Sequence, residues 1–127
     1  MKIGDAARRT GLSPKTIRYY EEIGLLVPAQ REGNGYRRYS ARDLDALHFL
    51  KRARATGFGL EECRQLLGLF EDDNRHSSHV RGLVVEKIQQ LDEQLKNLHS
   101  MRDTLVSMAT RCAGDEGPQC AIIEELS

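Results

Sequence analysis

The chain has 127 residues, with 19 Lys and Arg against 19 Asp and Glu, so its formal net charge is zero. That length suits one modest domain, or a small domain with an appendage, and leaves no room for a large enzyme cleft with a lid. No apolar run exceeds five residues even with glycine counted, which excludes a membrane-spanning helix.

The zero hides a division. Residues 1–60 carry 12 Lys and Arg against 6 Asp and Glu, whereas residues 61–127 carry 7 against 13. A basic half joined to an acidic half points to nucleic-acid contact on one side only. No apolar signal segment follows Met1, so the expected location is the cytoplasm. Three cysteines without a secretory signal argue for packing or thiol chemistry rather than a disulfide framework.

In chain order, Ile3 to Arg9 predicts a short helix closed by Thr10-Gly11. Ser13-Pro14 opens a second, because serine caps well and proline at the first helical position sacrifices no needed N–H. Gly24 stops it after about Ile23. Helix, short glycine-containing turn, helix is the helix-turn-helix pattern. Its second helix displays Lys15, Arg18, Tyr19 and Tyr20. Basic side chains meet phosphates or guanine edges, and tyrosine hydroxyls bond phosphate.

Arg31 to Tyr39 reads as a wing. Asn34-Gly35 favours a tight hairpin turn, and its basic, aromatic flanks suit a DNA backbone. Ser40 with Asp43 forms a capping-box-like start to a third helix, which runs to Thr56 and stops at Gly57. A fourth helix spans about Leu60 to Phe70, with Glu61 and Glu62 placed where the helix dipole favours anions. A generic helical domain with a solvated basic face would share the short helices. The Asn-Gly hairpin and the charge excess of the first half favour DNA binding.

From Val84 the apolar positions continue through Ile88, Leu91, Leu95, Leu98, Leu105 and Ala109, with Arg102 as the skipped position. This is a heptad seam. A helix over 79–110 is about 48 Å long at about 1.5 Å per residue. Its small domain alone cannot cover so long a seam, so a homodimer through a two-helix coiled coil is expected. The competing arrangement is an intramolecular bundle with helices three and four. Two identical reading heads imply a two-fold operator.

The tail carries Cys112 and Cys120 at the ends of a Gly/Pro loop, followed by a short apolar helix from Ala121. Thiolates are soft ligands that prefer Cu(I), Zn and similar ions. Structural zinc asks for four ligands, and this loop holds two cysteines. Cys63, alone in the fourth helix, reads as packing. His76 and His79, spaced i, i+3 at the start of the long helix, could complete a zinc set but read more simply as surface residues. A two-coordinate monovalent soft ion fits better. Two thiolates and one monovalent cation leave one negative charge that needs compensation. Ser77 and Ser78 as helix caps and Arg81 beside them could supply it. A pair of free thiols and a redox-switch disulfide remain open at this point. An enzyme has no support: there is no nucleophile-base pairing and no phosphate-cradling glycine loop.

Ile3-Gly-Asp-Ala-Ala, Gly11-Leu-Ser-Pro-Lys-Thr-Ile-Arg-Tyr-Tyr-Glu-Glu-Ile-Gly-Leu and Asn34-Gly-Tyr-Arg-Arg-Tyr strongly resemble the MerR family of transcription regulators over roughly residues 1–70. The resemblance implies a mainly α fold in three parts. Residues 1–70 would form a winged helix-turn-helix DNA-binding domain. Residues 71–111 would form a linker and a dimerisation helix in an antiparallel coiled coil. Residues 112–127 would form a metal-sensing loop and terminal helix. Arg18, Tyr20, Tyr36 and Arg37 match the family's DNA contacts, with Lys15, Thr16 and Arg31 beside them.

The tail, with Arg75-His-Ser77 ahead of the long helix, is similar to the CueR-like copper(I)-responsive subgroup, in which the two loop cysteines bind one Cu(I) linearly. Divalent-metal sensors carry cysteine where this chain has Ser77, and Arg81 stands where the subgroup places a basic residue near the metal. The same thiolates suit Ag(I) or Au(I). The resemblance also implies the activity. A homodimer on double-stranded promoter DNA untwists a spacer too long for RNA polymerase when metal is bound, switching on metal efflux or detoxification genes. A zinc-type or thiol-redox-responsive member of the family is the alternative.

Overall fold

The caps foreseen in the sequence set the helix boundaries in the computed structural model, which describes residues 1–31, 33, 35 and 37–127, with Gln30, Arg31 and Arg37 described by backbone alone. The elements in order are α1 (Ile3–Thr10), α2 (Pro14–Glu22), β1 (Gln30–Arg31), β2 (Arg37–Arg38), α3 (Ala41–Ala55), α4 (Leu60–Phe70), α5 (Ser77–Arg111) and α6 (Ala121–Leu126). The expected mainly helical class holds.

Gly11 ends α1 in the left-handed region at φ 75°, and its N–H returns to the Ala7 carbonyl. A residue with a Cβ would be strained there, and that Cβ would also meet the Lys51 ammonium. Ser13 Oγ accepts the Thr16 N–H at 3.1 Å to cap α2. The capping box of α3 is complete: Ser40 Oγ accepts the Asp43 N–H at 3.1 Å, and Asp43 Oδ2 accepts the Ser40 N–H at 2.8 Å. At α4 the Glu62 carboxylate reaches back to the Gly59 N–H at 2.8 Å. Each such cap satisfies helix-end donors that would otherwise lack partners.

The chain forms two compact units, Met1–Gly82 and Leu83–Ser127. In the first, α1 packs on α2 and α3, and α3 packs on α4. Ile17, Leu47 and Leu50 are wholly buried at the centre. Burial of such side chains contributes roughly 1.5–3 kcal/mol each. Cys63 is also wholly buried, which fits the packing role expected of it. Phe49 of α3 stacks on Phe70 of α4 with ring centres 4.6 Å apart. Arg64 of α4 donates to the Gly24 carbonyl at 2.7 Å and to the Ile23 carbonyl at 2.9 Å, closing the C-terminal end of α2.

The wing expected over Arg31 to Tyr39 contains two short strands. β1 and β2 are antiparallel with Gln30 opposite Arg38 and Arg31 opposite Arg37. The tight turn expected at Asn34-Gly35 falls on a stretch that is only partly described. Asn34 itself lies outside the described residues.

The second unit holds most of α5, the cysteine loop and α6. α5 has 35 residues, about 52 Å at about 1.5 Å per residue, and begins two residues earlier than expected. Ser77 and Ser78 therefore lie inside its first turn rather than capping it from outside. The His76 carbonyl accepts the first helical N–H groups, from His79 and Val80. Ile88, Leu95, Leu98 and Leu105 are 50–61% exposed in the single chain. Among the described residues, no helix is long and apolar enough to cross a membrane.

Candidate nucleic-acid interface and metal centre

Lys15 and Arg18 are exposed on α2, as a phosphate- or base-reading role requires. Thr16 is half-buried, with its hydroxyl 2.9 Å from Ser13 Oγ, so its first duty is to brace the start of the helix. Tyr20 corrects the expectation. Its side chain is 5% exposed and belongs to the core, because positions 17, 20 and 21 share the buried face of α2. Tyr19, one residue earlier, is 45% exposed. Arg31 and Arg37 face one another across the β1–β2 ladder, their side chains lying outside the description. Tyr36 lies outside the described residues.

Two residues that the sequence reading passed over hold this surface together. Glu21 is buried on α2, and Arg64 reaches α2 from α4. Neither carries a local sequence signal: Glu21 sits in an ordinary Glu-Glu pair, and the partners of Arg64 lie 40 and 41 positions away.

The cysteine loop is built on the end of α5. Cys112 continues the helical pattern, its N–H donating to the Met108 carbonyl. The chain then turns through Gly114 at φ 65° and an Asp115 side chain that accepts the Gly117 N–H at 2.9 Å. Cys120 is the N-terminal flanking residue of α6, its carbonyl accepting from Glu124. An ion pair between Arg111 on α5 and Glu125 on α6 ties the two ends of the loop.

The result is convergence. The two half-buried sulfurs lie 3.1 Å apart, well beyond the S–S bond of a disulfide. The Cys120 thiol is pulled below the ordinary cysteine range. The hydrogen bond with Cys112 is the largest cause, and the backbone N–H groups of Ile123 and Ile122 at the start of α6 add to it. Desolvation and the Glu124 carboxylate oppose the shift without cancelling it. Oriented amides and a partner thiol thus favour the thiolate, the form that ligates metals. Two soft, converging sulfurs fit a soft cation. Among the described residues, no group of three or more His, Cys, Asp and Glu side chains is assembled to hold a metal.

Ser77, Arg81, His76 and His79 all lie in the first unit and are exposed. Cys112 and Cys120 lie in the second.

Comparison with known proteins covers the whole chain. A profile described as MerR HTH family regulatory protein matches residues 1–69, and one described as MerR, DNA binding matches residues 44–108. The chain is 50% identical over 127 residues to the HTH-type transcriptional regulator HmrR of Rhizobium leguminosarum bv. viciae, covering 100% of this chain and 98% of the relative. It is 46% identical to the HTH-type transcriptional regulator CueR of Salmonella typhi, covering 100% and 92%. In structure it is similar to the transcription regulator PbrR691 of Ralstonia metallidurans, solved in complex with lead(II). There the TM-score is 0.88 and the identity 30%, over 100% of this chain and 99% of the other.

Proposed function

The chain belongs to the MerR family of transcription regulators, and from that membership we propose that it is a Cu(I)-responsive activator that binds promoter DNA as a homodimer. Residues 1–70 read the DNA, residues 71–111 connect and dimerise, and residues 112–127 sense the metal. The relatives are transcriptional regulators, and this chain acts as one rather than as an enzyme.

The observation that carries the metal assignment is the convergence of Cys112 and Cys120 at 3.1 Å on one loop. Two thiolates satisfy a monovalent soft ion such as Cu(I), and Ag(I) or Au(I) share that chemistry. Such thiols stay reduced in the cytoplasm, where we place the protein. Cys112 and Cys120 would hold the ion, and its binding there would tie the end of α5 to the start of α6.

The chain's own residues do the rest. In an antiparallel pair of α5 helices, the Ser77 end of one copy lies beside the Arg111–Cys112 end of the other. Arg81 then offsets the net negative charge of two thiolates and one monovalent ion, and Ser77 contributes no third thiolate. On the DNA side, Lys15, Arg18, Arg31, Tyr36 and Arg37 contact the duplex, with Tyr19 in place of Tyr20. A conformer favoured by the ion bends and untwists the promoter for RNA polymerase. Such deformation costs several kcal/mol, and the ion acts only through its preference for one conformer.

The test is anaerobic titration of the dimer with Cu(I) and Zn(II), read by run-off transcription from a promoter with a long spacer. Cu(I) should activate. Cys112→Ser and Cys120→Ser should each abolish that activation and leave operator binding within about twofold, since thiols and reading head are separate sites. Activation by Zn(II) alone, or loss of DNA affinity in the serine variants, would refute the assignment.

A further inference from the structure

Glu21 and Tyr39 of the first unit are buried, at 6% and 1% exposure, and neither is an expected contact. A buried carboxylate is costly unless it is hydrogen-bonded, and both oxygens of Glu21 are used. Oε1 accepts from the Tyr39 hydroxyl at 2.5 Å, and Oε2 accepts from the Ala29 N–H at 3.2 Å.

The placement of those donors matters. Ala29 immediately precedes β1, and Tyr39 immediately follows β2. One carboxylate on α2 therefore holds both feet of the hairpin. The Tyr39 N–H is fixed separately, donating to the Met1 carbonyl at 2.7 Å. The hairpin needs such anchoring, because each strand has two residues and an isolated two-stranded hairpin is marginal in water. Apolar burial of the Tyr39 ring keeps it in the core but sets no angle, whereas two directional bonds to one carboxylate do.

We propose that Glu21 is a positioning residue for DNA recognition: by gripping Tyr39 and Ala29 it locks the hairpin to α2, so that helix and wing meet the duplex as one rigid piece. The proposal rests on the reading that α2 and the hairpin both contact DNA. Phosphate contacts fix register and orientation, and a hairpin free to swing would place its cations on the backbone only part of the time.

The experiment uses the full chain and operator DNA, with anisotropy titrations at several salt concentrations. Glu21→Gln preserves volume, but its amide nitrogen cannot accept, so it either leaves the Ala29 N–H unpaired or exchanges the charge-assisted bond from Tyr39 for a weaker neutral one donated to the Tyr39 hydroxyl. Tyr39→Phe removes the Tyr39 bond outright by deleting a single oxygen. Each should weaken operator binding by about tenfold and flatten the salt dependence, as loss of phosphate contacts does. In an Arg37→Ala background, where the wing has already lost one of its contacts, Glu21→Gln should cost clearly less than it does in the wild type.

A residue with a purely structural role behaves otherwise. It would cost the same further affinity in the Arg37→Ala background and leave the salt slope unchanged, and that result overturns the proposal. Should Glu21→Gln fail to fold, Tyr39→Phe carries the same comparison. If wild-type protein ignores the operator, or Arg37→Ala has no effect on it, the DNA-contact reading fails instead. Hydrogen exchange still decides the clamp in that case. Amides of residues 29–39 should exchange faster in Tyr39→Phe with α1 and α3 unchanged, and unaltered exchange there overturns it.

Discussion

Cys120 and Cys63 are the same side chain in opposite settings. Cys63 is wholly buried in α4, where its thiol faces the Phe58 carbonyl. Cys120 is half-buried at the start of α6, with Cys112 and two backbone N–H groups favouring its thiolate. Only the thiolate is the nucleophile, so reactivity follows pKa and access. At neutral pH iodoacetamide should modify Cys120 first and leave Cys63 untouched until the protein is unfolded. The sign of the pH dependence follows from the direction of the shift. A pKa below the ordinary value keeps Cys120 ionised, and therefore reactive, to lower pH than a free cysteine. Peptide mass spectrometry of a time course at several pH values reads both effects. Equal labelling of Cys63 and Cys120 in the native protein would show that the burial or the thiolate environment is misassigned.

At the scale of elements, helix ends were legible because their chemistry is local. Gly11, Ser13-Pro14 and the Ser40–Asp43 pair each act within a few residues, and each does in the structure what its position implies. The same logic marks a place where the sequence is not optimal. Gly68 lies inside α4, is exposed, and a Cβ built there meets nothing within 4 Å. Gly68→Ala should therefore stabilise the fold by about 0.5–1 kcal/mol, the usual difference between these residues in a helix interior. A urea titration checks this, and a lower midpoint would mean that the exposed face of α4 is occupied by something.

What stayed hidden at this scale depends on distant partners. Adjacent tyrosines on α2 point about 100° apart on a helix of about 3.6 residues per turn, and which one faces the core is decided by α1, α3 and the hairpin. The pattern alone shows both tyrosines on the helix and the family resemblance singles out Tyr20, whereas the fold buries Tyr20 and exposes Tyr19. The burial of Glu21 likewise depends on Tyr39, 18 positions later, and the hairpin register on strands too short to declare a pattern. The cysteine loop was legible as a two-sulfur site because its ligands are close in sequence. Its convergence needed the turn at Gly114 and the Arg111–Glu125 tie to be seen.

At the scale of the whole molecule, the exposed seam of α5 is the surface on which the proposed dimer rests. Leu91, Leu95 and Leu98 are 38%, 54% and 56% exposed, spaced as a heptad pattern requires, on a helix about 52 Å long at about 1.5 Å per residue. Pairing with a second copy would remove this apolar surface from water at roughly 25 cal/mol per Å². A charge in the centre of such an interface leaves an unpaired buried ion in the dimer and costs nothing in the monomer. Leu95→Glu combined with Leu98→Glu should therefore shift the solution mass from twice 14.4 kDa to 14.4 kDa, with the helical content of the first unit retained. In the proposed dimer, DNA binding should follow assembly. Two linked reading heads gain about 10²–10⁴ in avidity over one, so the monomeric variant should bind the full operator at least a hundredfold more weakly and about as well as it binds a single half-site. Sedimentation read alongside anisotropy separates the two effects. A variant that stays dimeric would place the interface elsewhere. A monomer with undiminished operator affinity would mean that one head suffices, and the argument from paired half-sites would fall with it.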